Sequence, residues 1–145
     1  ISCVFPKKGY NSTDINARSM VLMYEEGGFR GLFTGDIGKK EEDWMRENVD
    51  LGRVDLYKAA HHGSENSNGR EWLLSLRPAV SVISCAKNNR YGHPGKEAVE
   101  NIENAASDIY GTMEGGQIRI FLTGREFELT NFRNPLAVRR YPVLK

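Results

Sequence analysis

The residues of this 145-residue chain that are best suited to chemistry lie in three short segments, each after an apolar run. The segment TGDIG carries Asp36, HHGSENS carries His61 and His62, and NNRYGHP carries His93. The chain has three histidines, and all of them lie in two of these segments. Carboxylate and imidazole are ligands of zinc and similar cations, and imidazole titrates near neutral pH. If the segments meet in space, they predict a site for metal-assisted or acid–base chemistry.

Asp36 and the adjacent histidines each allow a functional and a structural interpretation. A carboxylate at a strand exit can bridge two cations about 3.5–4 Å apart, but Asp36 can instead cap the following helix. Side chains of neighbouring residues on an extended chain point to opposite sides, so His61 and His62 cannot share one ion unless the backbone bends sharply. We therefore expect one imidazole to bind metal and the other to face substrate. The alternative is a pair of hydrogen-bonded surface histidines.

Other polar residues of the same loops complete the candidate site. Ser64 and Ser67 can orient the imidazoles or cap the next helix. His93 precedes Pro94 at a predicted helix start, where a neutral imidazole either binds an anion or a metal or is structural. Ser64, Ser67 and Asn89 are the predicted substrate-binding residues.

Strands alternate with helices along the chain. This order predicts an α/β fold with a mixed sheet, helices packed on it, and loops that open at one sheet edge. Proline at position 94 is suited to open the third helix. The predicted elements are a hairpin over 18–34, a helix in KKEEDWMRENVD, a strand in RVDLYKAA, a helix in GREWLLSL, a strand in AVSVIS, a helix over 96–107, a strand in IYGT and a hairpin formed by QIRIFL and EFELT.

The composition is that of an ordinary globular domain. The 20 basic and 19 acidic residues leave a net charge of +1, so the total charge does not indicate nucleic-acid binding. No apolar run is long enough to span a bilayer, and no signal peptide is evident. Cys3 and Cys85 form neither a metal-finger pattern nor a disulfide framework, and Cys85 fits a small apolar residue at a strand end.

Several ordered segments together resemble a known family. The segments NARS, LFTGD, VDLYKAAHHGSENS, RPAVSVIS, NNRYGHP and IYGTMEGGQIRI resemble the C-terminal half of the metallo-β-lactamase-like domain of ComEC-type competence proteins, which internalise DNA, and of free-standing hydrolases. The resemblance implies a four-layer αββα sandwich of two similar halves with a metal pair at the sheet edge. Residues 1–132 would be the second half of that domain, and residues 133–145 a C-terminal tail.

The resemblance also implies roles for single residues. Asp36 matches the bridging aspartate and His62 a metal ligand, while His61 would contact the scissile phosphate or protonate the leaving group, and His93 would lie near the substrate as a second catalytic residue. The implied cofactor is a divalent metal, zinc or manganese, with two ions in the complete domain. The family's principal motif, HxHxDH, belongs to the upstream half and does not occur in these 145 residues. We therefore expect this chain alone to be inactive and to hold one ion or none.

The implied function is a metal-dependent phosphodiesterase or nuclease that acts on DNA during competence. The implied partner is the missing N-terminal half of the same domain, and the implied location is extracytoplasmic or membrane-associated. One alternative is a non-catalytic assembly module that self-associates through an exposed half-domain face. Another is a hydrolase of small choline-type phosphodiesters. A basic rim of Lys58, Arg70, Lys87 and Arg90 beside the site would favour DNA.

Overall fold

Six strands form a mixed sheet in the computed structural model, which describes residues 1–143. They lie side by side in chain order. The first three strands pair antiparallel, and the third to the sixth pair parallel, so the third strand belongs to both sets. The parallel strands are short and apolar, as expected for strands that are covered on both faces. The strands are β1 (Ser2–Phe5), β2 (Val21–Glu26), β3 (Phe29–Phe33), β4 (Leu56–Lys58), β5 (Val80–Ile83) and β6 (Asp108–Gly111).

Helices cover one face of this sheet. Tyr57 of β4 and Ile83 of β5 point to this face. They pack there in one cluster with Met45, Trp72 and Ile102, which come from three successive helices. This orientation follows from the two-residue period of a strand, which sends neighbouring side chains to opposite faces. The helices are α1 (Lys39–Asn48), α2 (Arg70–Leu76), α3 (Lys96–Asn104) and the short α4 (Thr112–Gly115).

A three-stranded antiparallel sheet covers the opposite face. It consists of β7 (Ile118–Leu122), β8 (Glu126–Asn131) and β9 (Arg139–Pro142), in that order. Leu56 and Val80, which alternate with the helix-facing residues, pack against Phe127 and Leu129 of β8. The result is three layers, with the six-stranded sheet in the middle.

The predicted α/β fold, with a mixed sheet and helices packed on it, is confirmed. The predicted third helix was too long, since α3 ends at Asn104 and a left-handed residue, Ala106, follows it. Gly95 is its N-cap, so Pro94 precedes the helix and does not open it.

Among the strands and α-helices of residues 1–143, β1, α4 and β9 were not predicted. Strand β9 lies within the segment assigned as a C-terminal tail, and residues 144 and 145 of that tail lie outside the described residues. The assignment of 133–145 as a separate tail stays a prediction. Among the helices of residues 1–143, none is long and apolar enough to cross a bilayer.

Candidate functional site

The three predicted loops meet at one edge of the six-stranded sheet. Strands β3 to β6 are parallel, so the loops that follow them open at the same edge. The ring centroid of His93 lies 5.7 Å from that of His61 and 6.4 Å from that of His62. Asp36 also lies here, with its Oδ1 atom 3.7 Å from Nε2 of His62. His61, His62 and His93 are called the histidine cluster below.

A sharp backbone turn brings the adjacent histidines together. His61 and His62 both have left-handed backbone angles, with φ of 47° and 59°, and their ring centroids are 6.2 Å apart. The extended geometry assumed from the sequence, which would send the two rings to opposite sides, is therefore wrong for this pair. Two consecutive non-glycine residues in this region are strained, by roughly 1–3 kcal/mol each. Their surroundings must hold that conformation in place.

His62 is oriented so that one ring nitrogen is free to bind a cation. Its Nδ1 atom lies 2.7 Å from the carbonyl oxygen of Ser84. A carbonyl only accepts, so Nδ1 carries the proton and Nε2 of the neutral ring has a free lone pair. The 3.7 Å between this Nε2 and Oδ1 of Asp36 exceeds a hydrogen-bond length. It is close to the separation of about 3.4 Å that two ligands at 2.0–2.2 Å from one tetrahedral ion would have.

The Asp36 loop is held by one bond to a side chain and one between backbone groups. The hydroxyl of Ser19 accepts a hydrogen bond of 3.1 Å from the Asp36 amide, and the Gly35 carbonyl accepts one of 2.9 Å from the His61 amide. A Cβ atom on Gly35, whose φ is +56°, would lie 2.8 Å from Cβ of Ser19. Glycine is therefore required at position 35, and the loop that carries Asp36 is tied to the turn that carries His61.

Asn89 organises the loop that carries His93. Its Oδ1 atom accepts hydrogen bonds from the amides of Tyr91, at 3.1 Å, and of His93, at 3.0 Å. Its Nδ2 atom donates to the carbonyl oxygens of Ala86, at 2.9 Å, and of His93, at 2.6 Å. The structure thus gives Asn89 a positioning role, while its predicted contact with substrate stays a prediction.

Ser64 and Ser67 are buried beneath the turn. The Ser67 hydroxyl donates to the carbonyl of Ile37 at 2.6 Å, and the Ser64 hydroxyl accepts from the amide of Asn66 at 3.2 Å. The exposed fractions of Ser64 and Ser67 are 3% and 1%. Both hydroxyls therefore hold the loop from inside, and their predicted contact with substrate stays a prediction.

A buried polar network that the sequence analysis missed supports the histidine turn. The Asn68 side chain accepts from the Ala60 amide at 3.0 Å and donates to the carbonyl oxygens of Ala60 and Ser64, each at 3.1 Å. The Glu42 carboxylate accepts from the amides of Asn68, at 2.6 Å, and Gly69, at 2.8 Å. The Asn-Gly pair at 68–69 is a recognisable turn signal, and φ of Asn68 is +62°. Glu42 carries no comparable signal, because acidic residues are usual in a first helical turn.

Burial and neighbouring charges shift several pKa values around the site. Burial and the charges of His61 and His62 lower the pKa of His93, an effect that Asp36 opposes. Burial also lowers the pKa of Lys58, again opposed by Asp36, and raises the pKa of the Cys85 thiol. The Cys85 thiol is therefore neutral at pH 7, in keeping with the predicted role as a small apolar residue.

The predicted basic rim is partly assembled. Lys87 and Arg90 are exposed on the loop that carries His93, and Lys58 ends β4 close enough to Asp36 to feel its charge. Arg70 instead begins α2 and lies 4.0 Å from Glu71. Across residues 1–143, no group of three or more His, Cys, Asp or Glu side chains is arranged to hold a metal ion.

The chain is similar to three bacterial proteins. It is 34% identical to ComE operon protein 3 of Bacillus subtilis, over 72% of this chain, and 30% identical to Recombination protein 2 of Haemophilus influenzae, over 84%. It is 32% identical to Competence protein ComA of Neisseria gonorrhoeae, over 71% of this chain. The matches span 13%, 15% and 16% of those three proteins, so the chain corresponds to a small part of each. No family model matches the chain.

Proposed function

We propose that this chain is part of a metal-dependent phosphodiesterase or nuclease that acts on DNA during competence. The observation that carries the proposal is the pairing of His62 Nε2 with Asp36 Oδ1 at 3.7 Å, beside two further imidazoles. The similarity to proteins named for competence and for recombination supports DNA as the substrate. It also supports the extracytoplasmic or membrane-associated location proposed for the whole protein.

Asp36 and His62 are the residues that would hold the metal. The free Nε2 lone pair and the carboxylate are a donor set that zinc and manganese both accept, so the residues present fit such an ion. When bound, a divalent ion lowers the pKa of water and neutralises charge on a phosphoryl group. Because two ligands do not complete a site, further ligands would come from an upstream half of the domain, and the isolated chain would be inactive.

The other two imidazoles would act on the substrate directly. His61 lies beside His62 and would donate a hydrogen bond to the scissile phosphate or a proton to the leaving oxygen. His93, across the cluster from both, would bind a second phosphate oxygen. The Asn68 and Asn89 networks would keep these rings in place during the reaction.

The layered fold is compatible with the second half of a metallo-β-lactamase sandwich. An open apolar groove between the six-stranded sheet and β7, lined by Leu22, Tyr24, Phe33 and Ile120, supports the presence of a further layer. We propose that the upstream half of the domain contacts this groove. The same groove favours the second candidate function, a non-catalytic assembly module that self-associates, and a small phosphodiester stays an alternative substrate.

Metal analysis of the purified chain tests the proposal. After dialysis against zinc or manganese, we expect about one equivalent to remain bound and both Asp36→Ala and His62→Ala to remove it. Asp50→Ala, which changes an exposed aspartate after α1, is the control and should retain metal. Retention of metal by Asp36→Ala or His62→Ala would contradict the proposed site. If no metal binds at micromolar concentration, the assembly module becomes the better interpretation.

A further inference from the structure

Tyr91 is an exposed aromatic side chain at the rim of the histidine cluster. It is 65% exposed, and its ring stacks on that of His93, with centroids 5.8 Å apart and planes inclined by 17°. The guanidinium carbon of Arg90 lies 4.8 Å from the centre of the same ring, and Arg90 donates a hydrogen bond to the Tyr91 hydroxyl. Single exposed aromatic side chains are common on protein surfaces, so what distinguishes Tyr91 is its contact with His93 at the rim of the cluster.

The ring is displayed by an ordered loop. The side chain of Asn89 bonds to the backbone of both Tyr91 and His93, so one amide group fixes both residues relative to each other. A contact surface fixed in advance loses little conformational entropy when a ligand binds. Tyr91 is therefore a pre-organised surface for a ligand that reaches the histidine cluster.

A cleft of about 520 Å³ opens beside Tyr91 and the histidine cluster. Cys85, Ala86 and Thr112 contribute small, uncharged side chains to its wall, and His62 and His93 line the side of the cluster. Its volume falls within the range of about 300–1,000 Å³ that is usual for small-ligand sites. An aromatic ring and small, uncharged side chains in the same cleft suit a flat, unsaturated group.

We propose that Tyr91 stacks on a base of single-stranded DNA next to the phosphate that occupies the histidine cluster. This inference rests on the proposed function, because it names the substrate class of the same site. Every base has a π-face, so stacking binds a strand without regard to sequence, and a base within a duplex is not free to stack in this way. Arg90 and Lys87, exposed on the same loop, place positive charge where the sugar–phosphate backbone would pass.

Binding measurements without catalysis test the proposal. Fluorescence anisotropy with labelled oligo(dT) of about ten nucleotides, and with an abasic strand of the same length, separates base contacts from phosphate contacts. Tyr91→Ala should weaken oligo(dT) binding by about 5- to 150-fold, the loss for one stacked base, and leave abasic-strand binding unchanged. Tyr91→Phe keeps the ring and should bind like the native chain. Phe132→Ala removes an aromatic ring of matching exposure, 66%, from the end of β8 and should have no effect.

Three results would overturn the proposal. They are equal oligo(dT) binding by the native chain and Tyr91→Ala, an equal loss by Tyr91→Ala on both strands, and no binding of either strand by the native chain. A melting curve for each variant separates a local effect from unfolding. Because metal binding by Asp36 and His62 is measured without DNA, stacking can fail while the proposed hydrolase function survives, and the two failures remain distinguishable.

Discussion

The backbone carbonyl of Gly63 accepts a hydrogen bond of 2.9 Å from the amide of Gly95. This bond joins the turn that carries His61 and His62 to the loop that carries His93. Gly63 has a φ of +80°, and a Cβ atom there would lie 2.8 Å from Cβ of Pro94. The approach of the two loops thus depends on the absence of a side chain at position 63.

We expect Gly63→Ala to destabilise the chain and to disturb the site. The left-handed backbone of the alanine should lower the free energy of unfolding by about 1–2 kcal/mol. Displacement of Pro94 by the added Cβ should lower it by about 1–3 kcal/mol more. Gly124→Ala is the matched control, because its φ is +92° and no atom lies within 4 Å of the added Cβ. Urea unfolding of both variants measures the difference. Equal losses of unfolding free energy would show that the contact with Pro94 is unimportant.

Asn68→Ala should be among the most destabilising polar substitutions in the chain. It removes the Asn68 partner from the buried amide and carbonyl of Ala60, at a cost of about 1–3 kcal/mol for a group left unsatisfied, while the amide keeps a 3.4 Å bond to the Tyr57 hydroxyl. It also puts alanine at a φ of +62°. Asn66→Ala, two residues earlier and exposed, should change the free energy of unfolding by less than about 0.5 kcal/mol. If the two variants have similar urea midpoints, Asn68 does not support the turn.

Glu42 should make the stability depend on pH. Burial raises the pKa of Glu42 to about 7 from its ordinary 4.5, although the bonds from the Gly69 and Asn68 amides oppose the shift. The folded chain therefore binds this proton more tightly than the unfolded chain. The resulting stabilisation is complete below about pH 4.5 and declines as pH rises to about 7, by up to about 1.4 kcal/mol per pH unit.

Glu42→Gln removes the titrating group and should flatten this part of the pH profile. It should also lower stability near pH 5, because the Asn68 and Gly69 amides donate to different oxygens of Glu42 and one of them would face the amide NH2 group. Glu47→Gln, an exposed change on the same helix, is the control. Unfolding free energies measured between about pH 5 and 8 test the sign. A slope unchanged by Glu42→Gln would mean that another group causes the pH dependence.

Lys87 should contribute to DNA binding through phosphate contact. Lys87→Ala is expected to lower the salt slope of oligonucleotide affinity by about 1 and to weaken base-bearing and abasic strands alike. Arg125→Ala, an exposed charge at the turn between β7 and β8, serves as the comparison. Measurements at several salt concentrations check this expectation. If Arg125→Ala lowers the slope as much as Lys87→Ala, the binding is not localised at the site.

The sequence was informative where periodicity or strand order governs the structure. The alternating residues of β7 and β8 predicted a hairpin, and the strand–helix alternation predicted that Asp36, His61 and His93 would share a sheet edge. The sequence did not predict the turn at His61 and His62, because a left-handed backbone is uncommon at any single non-glycine residue, histidine included. That conformation is held by tertiary contacts from Gly35 and Asn68.

The polar network was equally hidden in the sequence. Glu42 lies in an ordinary amphipathic helix, and only the packing of α1 against α2 shows that its carboxylate reaches the start of the next helix. Strand β9 escaped prediction because its residues, Arg139 to Pro142, lack apolar alternation. This segment forms a strand because its backbone pairs with β8, which its composition does not indicate.

The second sheet packs on the face of the central sheet away from the helices, and within the described residues none of its strands lines the cleft beside Tyr91. The turn between β7 and β8, at residues 123–125, could therefore be extended or fused to another module without touching the histidine cluster, provided that Phe127 and Leu129 still fill their places. For protein engineering, this is the side on which a tag or reporter belongs. The sheet edge where the loops after β3, β4 and β5 meet carries the histidine cluster and should be left unchanged.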